Sequence, residues 1–381
     1  MKSRRNGAIE LYRFVFAFMV LMTHGRSLFP KQGYPQLFGK ASYGVEFFFL
    51  VSGYLMACSA AKHRDDGVPC GRQTLSFVGR KYVSLLPEFG IAMAFNFVFY
   101  CLTKNLNTPM AVLRGASKWV WDIIPLSVLS VGKVEFHMGA WYISAMLVSM
   151  LLLYPICLKR FDRFTRRWAP AIAAALLGIL FCFTRTTLNP SAKIGIFYKG
   201  LLRGVAEISL GASLYPVVER LKHASLSRGG AVALSIAAAG MTAAVLWFCT
   251  FDTGSGWDPI MVAFMAAIVA ILFSHRAAWA DIFDNDACMF LGRSSLLLYL
   301  SHREYARYVT GIRKTCMRAG ILAGHPLRLT AAMLLLYFAG TALIMLLVNL
   351  IARQMRRERA VPAGAALLRR RRLIGGMSVI K

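Results

Sequence analysis

The stretch AIELYRFVFAFMVLMTHGRSLFP, residues 8–30, decides the fold class. It is an apolar run long enough to cross a bilayer, which takes about 20 helical residues. Yet it carries Arg13 near its start and His24 near its end. A second run, YGVEFFFLVSGYLM at 43–56, holds Glu46 near its start and Ser52-Gly53 in its middle. Ionisable groups inside apolar spans are costly, so they face a cavity or a partner. Eleven steps of about 100° bring a helix back to within roughly 20° of its starting direction. Arg13 and His24 therefore share one helix face, about 16 Å apart along the axis. That register fits a working face with a fixed cation at one end and an imidazole at the other. It fits equally an arginine that snorkels to the headgroups and a histidine at the far interface.

Working outward, the rest of the chain has the same character. Of its 381 residues 57% are hydrophobic, and the mean hydropathy is +0.54, where soluble domains run at about 45–50% apolar. Ten spans are expected, at 9–29, 43–61, 83–102, 139–158, 168–184, 195–217, 230–251, 258–275, 288–304 and 330–352. The expected fold is therefore all-α, a polytopic integral membrane protein of about ten transmembrane helices. Residues 1–352 form one membrane-embedded domain, and 353–381 a basic tail, with Arg369 to Arg372 in a row, expected to be disordered. The first run outlasts a signal peptide, and no small-x-small cleavage pattern follows it.

The net charge of +28 would suggest nucleic acid in a soluble protein. Here the charges sit in short connections and the tail, which points to topology and to the anionic headgroups of membrane lipids; no nucleic-acid partner is expected. With the N-terminus cytoplasmic, the inner connections and tails carry 27 Lys and Arg and the outer ones 16. That bias predicts both termini in the cytoplasm and a multi-pass protein of the cell (inner or plasma) membrane. The stretch 303–328 is a local exception, with Arg303, Arg307, Arg313, Lys314, Arg318 and Arg328 on the outer side. Either the ninth span is misplaced or this stretch binds something anionic. Segment 103–138, with Trp119, Trp121, Pro109 and Pro125, reads as an interfacial helix or lid. Eight scattered cysteines without C-x-x-C spacing exclude a disulfide framework and imply no metal.

Arg13, ten residues, then His24, followed by GVEFFFLVSGY at 44–54, resembles the membrane-bound acyltransferase-3 family, whose members share an Arg/Lys-x10-His first helix and such a second segment. Trp141-Tyr142, Tyr154-Pro155 and SSLLLYLSH at 294–302 extend the resemblance over nearly the whole chain. It implies an integral-membrane O-acyltransferase, O-acetyltransferase-like, with acyl-coenzyme A (acetyl-CoA) as donor substrate and no metal. The implied acceptor is a hydroxyl of an extracytoplasmic or lipid-linked glycan, as in polysaccharide modification. The chain departs from the pattern at Ser84, where relatives often place an arginine, and at Met146, where many carry a glutamate.

Acyl transfer to a hydroxyl needs a base, a donor site and groups that meet the developing negative charge. His24 suits the base, and Glu46 is expected to orient it as a carboxylate does in a triad. Arg13, Arg80 and Lys81 are expected to hold the polyanionic donor. His137, Trp141, Tyr299 and His302 are expected to line the acceptor side. Arg203 and Glu207, four apart, read as a structural ion pair. The rival class is a transporter or flippase, which an inverted repeat would favour; none is visible.

Overall fold

The computed structural model describes the backbone of residues 6–30, 35–123, 140–251, 254, 256–322 and 324–376, and the side chains of these up to Arg356 apart from 118 and 120–123. The bundle is helical throughout, save for a two-stranded ribbon, Lys193–Ile194 against Phe197–Tyr198. Among the described residues, eight helical stretches are long and apolar enough to cross a membrane. The protein is an all-α, polytopic membrane protein.

Helix α1 (Gly7–Gly25) starts where the Asn6 side chain accepts the Ile9 N–H at 3.0 Å, a side-chain N-cap. Helix α2 (Gly44–His63) follows a 3-10 turn at Ala41–Tyr43. That turn is pinned by Asp258, which pairs with Lys40 at 3.0 Å and accepts the Tyr43 hydroxyl. Helix α3 (Cys70–Lys104) begins at Cys70, not at 83. The polar segment taken for a connection, GRQTLSFVGRKY, is its first third, so Arg80 and Lys81 lie well inside the helix.

Helix α4 (Pro109–Ile123) occupies the start of the expected interfacial segment, and Trp119 packs on Phe97 and Tyr100 of α3. Helix α5 (Ala140–Lys159) is the most enclosed: 78% of its apolar window is buried inside the protein, against 17% for Phe161–Thr184. The latter comprises the short α6 (Phe161–Arg163), a π turn and α7 (Ala169–Thr184), and lies at the periphery. Helices α8 (Lys199–His223), α9 (Arg228–Phe251) and α10 (Asp258–Ser274) complete that half.

The ninth expected span, 288–304, is divided. Helix α11 (Asp286–Ser301) ends beside His302, and α12 (Arg303–Arg318) starts anew. Most of the basic stretch expected outside the membrane, 303–318, is thus a helix, its Tyr305 and Tyr308 packed on Phe99 of α3. Helix α13 (Pro326–Gly376) runs through the boundary expected at 352 without a break, and Arg356 pairs with Glu88 of α3. It is tied to α1 by Tyr337, whose hydroxyl donates to the Leu21 carbonyl at 3.1 Å.

Two contacts place the inner helices. Gly53 of α2 lies against the Ile208 carbonyl of α8, and Gly211 of α8 against the Leu50 carbonyl of α2; a Cβ at either would overlap the facing backbone. Small residues let membrane helices approach this closely. Leucines and aromatics such as Leu102, Trp247, Leu335 and Leu343 point outward, while Glu46, Arg203 and Glu207 are buried inside. A membrane rewards that distribution, since its hydrocarbon solvates apolar side chains and leaves charges to find each other.

Candidate active site

Two cavities open along α1. The first, of about 780 Å³, includes Arg13 and Lys81 in its wall, with Ser52, Tyr142, Tyr299 and Arg356. The second, of about 290 Å³, is lined by His24 together with Trp141, Tyr299, His302, Arg26 and Arg303. The register read from the sequence therefore sends Arg13 and His24 to different chambers on the same helix face. Tyr299 belongs to both walls. Its ring packs edge-on against Tyr142 at 5.7 Å and tilted against Phe48 at 6.4 Å, so a cluster of rings stands between the chambers.

In the larger chamber, Arg13 is half-buried and its Nη1 donates to the Glu10 carboxylate at 3.0 Å. Lys81 brings a second cation, and Arg356, engaged by Glu88, a third. A chamber of this volume is within the range of small-molecule sites, and its cations suit a polyanion. Arg80, expected beside Lys81, donates instead to Ser76 on the exposed side of α3 and lines neither chamber. Adjacent helical residues point about 100° apart, so only one of the two can face inward.

In the smaller chamber the rings of His24 and His302 lie 5.1 Å apart. His302 is buried and its Nδ1 is 2.8 Å from the Leu298 carbonyl. A carbonyl only accepts, so Nδ1 carries the proton, and in the neutral ring Nε2 is left as a bare acceptor. That Nε2 has no hydrogen-bond partner among the described residues. The end of α11 that holds it is anchored by Asn96 of α3, whose amide donates to the Leu300 carbonyl at 2.7 Å. Trp141 forms part of the wall, under the Arg203 guanidinium at 5.5 Å.

Glu46 does not orient His24. Its carboxylate meets Arg203 Nη2 at 2.8 Å and Nε at 3.2 Å, and accepts the Thr187 hydroxyl at 2.5 Å. The α2–α8 contact at Gly53 and Gly211 brings Arg203 of α8 to the face of α2 that holds Glu46, while Gly44 at the start of α2 lies against the Phe16 carbonyl of α1. Arg203 also bonds Glu207 at 3.0 Å, so the expected i,i+4 pair is a three-membered cluster. His137 lies outside the described residues. Arg26 and Arg303, not expected as site residues, were within reach of the sequence: one follows His24 by two residues, and the other opens the basic stretch flagged as anomalous.

A family model described as an acyltransferase domain matches residues 6–354. The chain belongs to the acyltransferase-3 family. Searches of curated proteins and of solved structures found no match. As an acyltransferase-3 protein, the chain is a membrane acyltransferase, and the residues that first suggested the family, Arg13, His24 and the segment 44–54, are the ones that build its two chambers and the wall between them.

Proposed function

We propose that this acyltransferase moves an acyl group, acetyl in the first instance, from acyl-coenzyme A on the cytoplasmic side to a hydroxyl of an extracytoplasmic or lipid-linked glycan. The observation that carries the reading is the pair of chambers on one face of α1, cationic at Arg13 and histidine-bearing at His24, which share Tyr299. Arg13 and Lys81 would bind the anionic part of the donor, whose thioester supplies the acyl carbon. His24 takes the proton of the acceptor hydroxyl as its oxygen bonds that carbon. The carbon–sulfur bond breaks, an ester forms, and the proton passes from His24 to the departing thiolate. His302, with its bare Nε2, is a second acceptor that can hold the hydroxyl in line. Arg203 brings positive charge to the same chamber, where negative charge develops on the acyl oxygen. Glu46 serves by holding Arg203.

The test is transfer of radiolabelled acetyl from acetyl-CoA in membranes, normalised to inserted protein. Loss of a general base costs about 10²- to 10⁴-fold in rate, so His24→Ala should lower turnover on that scale while the protein still inserts. A larger loss in His302→Ala than in His24→Ala would pass the base role to His302. No label transfer by the unaltered protein would remove the enzyme reading and leave the transporter.

A further inference from the structure

The smaller chamber holds more positive charge than the transfer of an acyl group to a neutral sugar calls for. Three arginines line it, Arg26, Arg203 and Arg303, and no aspartate or glutamate among the described residues does. Arg203 is answered by Glu46 and Glu207. Among the described residues no carboxylate pairs with Arg303. It is 7% exposed, and its Nε and Nη1 have no hydrogen-bond partner among the described residues. Its sequence neighbour Glu304 turns to Arg307, whose Nη1 it holds at 3.0 and 3.1 Å. Arg26, exposed at the chamber's rim, has no carboxylate partner among the described residues either.

A guanidinium buried with two of its nitrogens unpartnered is costly, and an anion is what removes the cost. The planar fork of arginine matches the oxygens of a carboxylate or a phosphate two at a time. The site is set where substrate would lie, since His302 adjoins Arg303 in sequence and its free Nε2 opens on the same chamber as His24.

We infer that the acceptor is anionic, carrying a carboxylate or phosphate close to the hydroxyl that is acylated, and that Arg303, with Arg26 at the rim, binds that group. The inference rests on the acyltransferase reading and narrows its acceptor. It also accounts for the basic start of α12, which the distribution of charge across the membrane does not.

Native membranes and soluble extract, both containing the endogenous acceptor, are incubated with the enzyme and radiolabelled acetyl-CoA. The labelled product is degraded to its acetylated sugar unit, whose mass and charge are read by anion exchange and mass spectrometry. The expected unit is an anion. Neutralisation by carbodiimide coupling to an amine identifies a carboxylate, and neutralisation by phosphatase or mild acid a phosphate. A neutral acetylated unit overturns the inference and leaves the acyltransferase intact, whereas absence of label overturns the reading beneath it. In the same assay Arg303→Gln should raise the KM for the isolated acceptor about 10- to 100-fold, the range expected for lost bonds to a charged group. The KM for acetyl-CoA should hold, and Arg303→Lys should recover part of the loss. A fall in kcat with unchanged acceptor KM would assign Arg303 to the acyl oxygen and overturn the inference.

Discussion

Arg203 is the residue whose removal the bundle should tolerate least. It is 1% exposed and stands between two carboxylates, Glu46 and Glu207, that are both 0% exposed. Replacing it by methionine fills much the same volume but leaves two acids facing each other with no cation between them. Breaking a buried ion pair by removing one partner costs about 3–5 kcal/mol. Net stabilities of folded proteins are about 5–15 kcal/mol, so the change takes a large share of the total and raises the unfolded fraction about 10²- to 10³-fold or more. The triple variant Arg203→Met, Glu46→Gln, Glu207→Gln removes the charges together and should recover most of the loss, because a neutral replacement of a buried ion cluster is often no less stable. The assay is the thermal midpoint of the detergent-solubilised full-length protein, followed by loss of monomer in size-exclusion chromatography. If Arg203→Met melts with the unaltered protein, or the triple variant melts no higher than the single, the cluster is not held by its charges and the reasoning fails.

Three further outcomes are expected. Arg13→Lys keeps the charge but loses the planar fork, so the KM for acetyl-CoA should rise while insertion is normal; an unchanged KM would assign Arg13 to headgroup contact. Gly53→Leu should force α2 off the Ile208 carbonyl, part Glu46 from Arg203, and lower both thermal midpoint and turnover, whereas Gly71→Leu, which meets open space at the start of α3, should leave both near normal. Single cysteines at 105 and 160 in a cysteine-free background should label from opposite sides, the first outside and the second inside; labelling from one side would break the topology expected from the charge bias.

The helices of the interior were legible because their apolar runs are long and carry few charges, as at 8–30 and 43–56. The register of Arg13 and His24 was legible too, since helix geometry alone puts them on one face. The start of helix α3 escaped because its first third, GRQTLSFVGRKY, is polar enough to read as a connection. Helix α12 escaped for a similar reason: six basic residues between 303 and 328 hide an amphipathic helix whose buried face is Arg303, Glu304, Tyr305, Ala306 and Val309. Arg203 with Glu207 followed from their spacing, but Glu46 did not, because its partner is 157 residues away. Which face of α2 meets which helix is decided by a backbone contact at Gly53 and Gly211, and hydrophobic periodicity carries no trace of it.

The rings of Phe48, Tyr142 and Tyr299 have a consequence for the membrane itself. A chamber reached from each side would, if joined by an open passage, be a leak for protons and small ions. Three aromatic side chains packed 5.7–6.4 Å centre to centre close that route with material that neither carries charge nor holds a file of water. What passes such a seal has to be thin and apolar. In the proposed reaction, an acetyl group on an extended thiol arm would meet both conditions, while a sugar and a nucleotide would meet neither, so the same rings that divide the two chambers would also keep each proposed substrate in its own compartment.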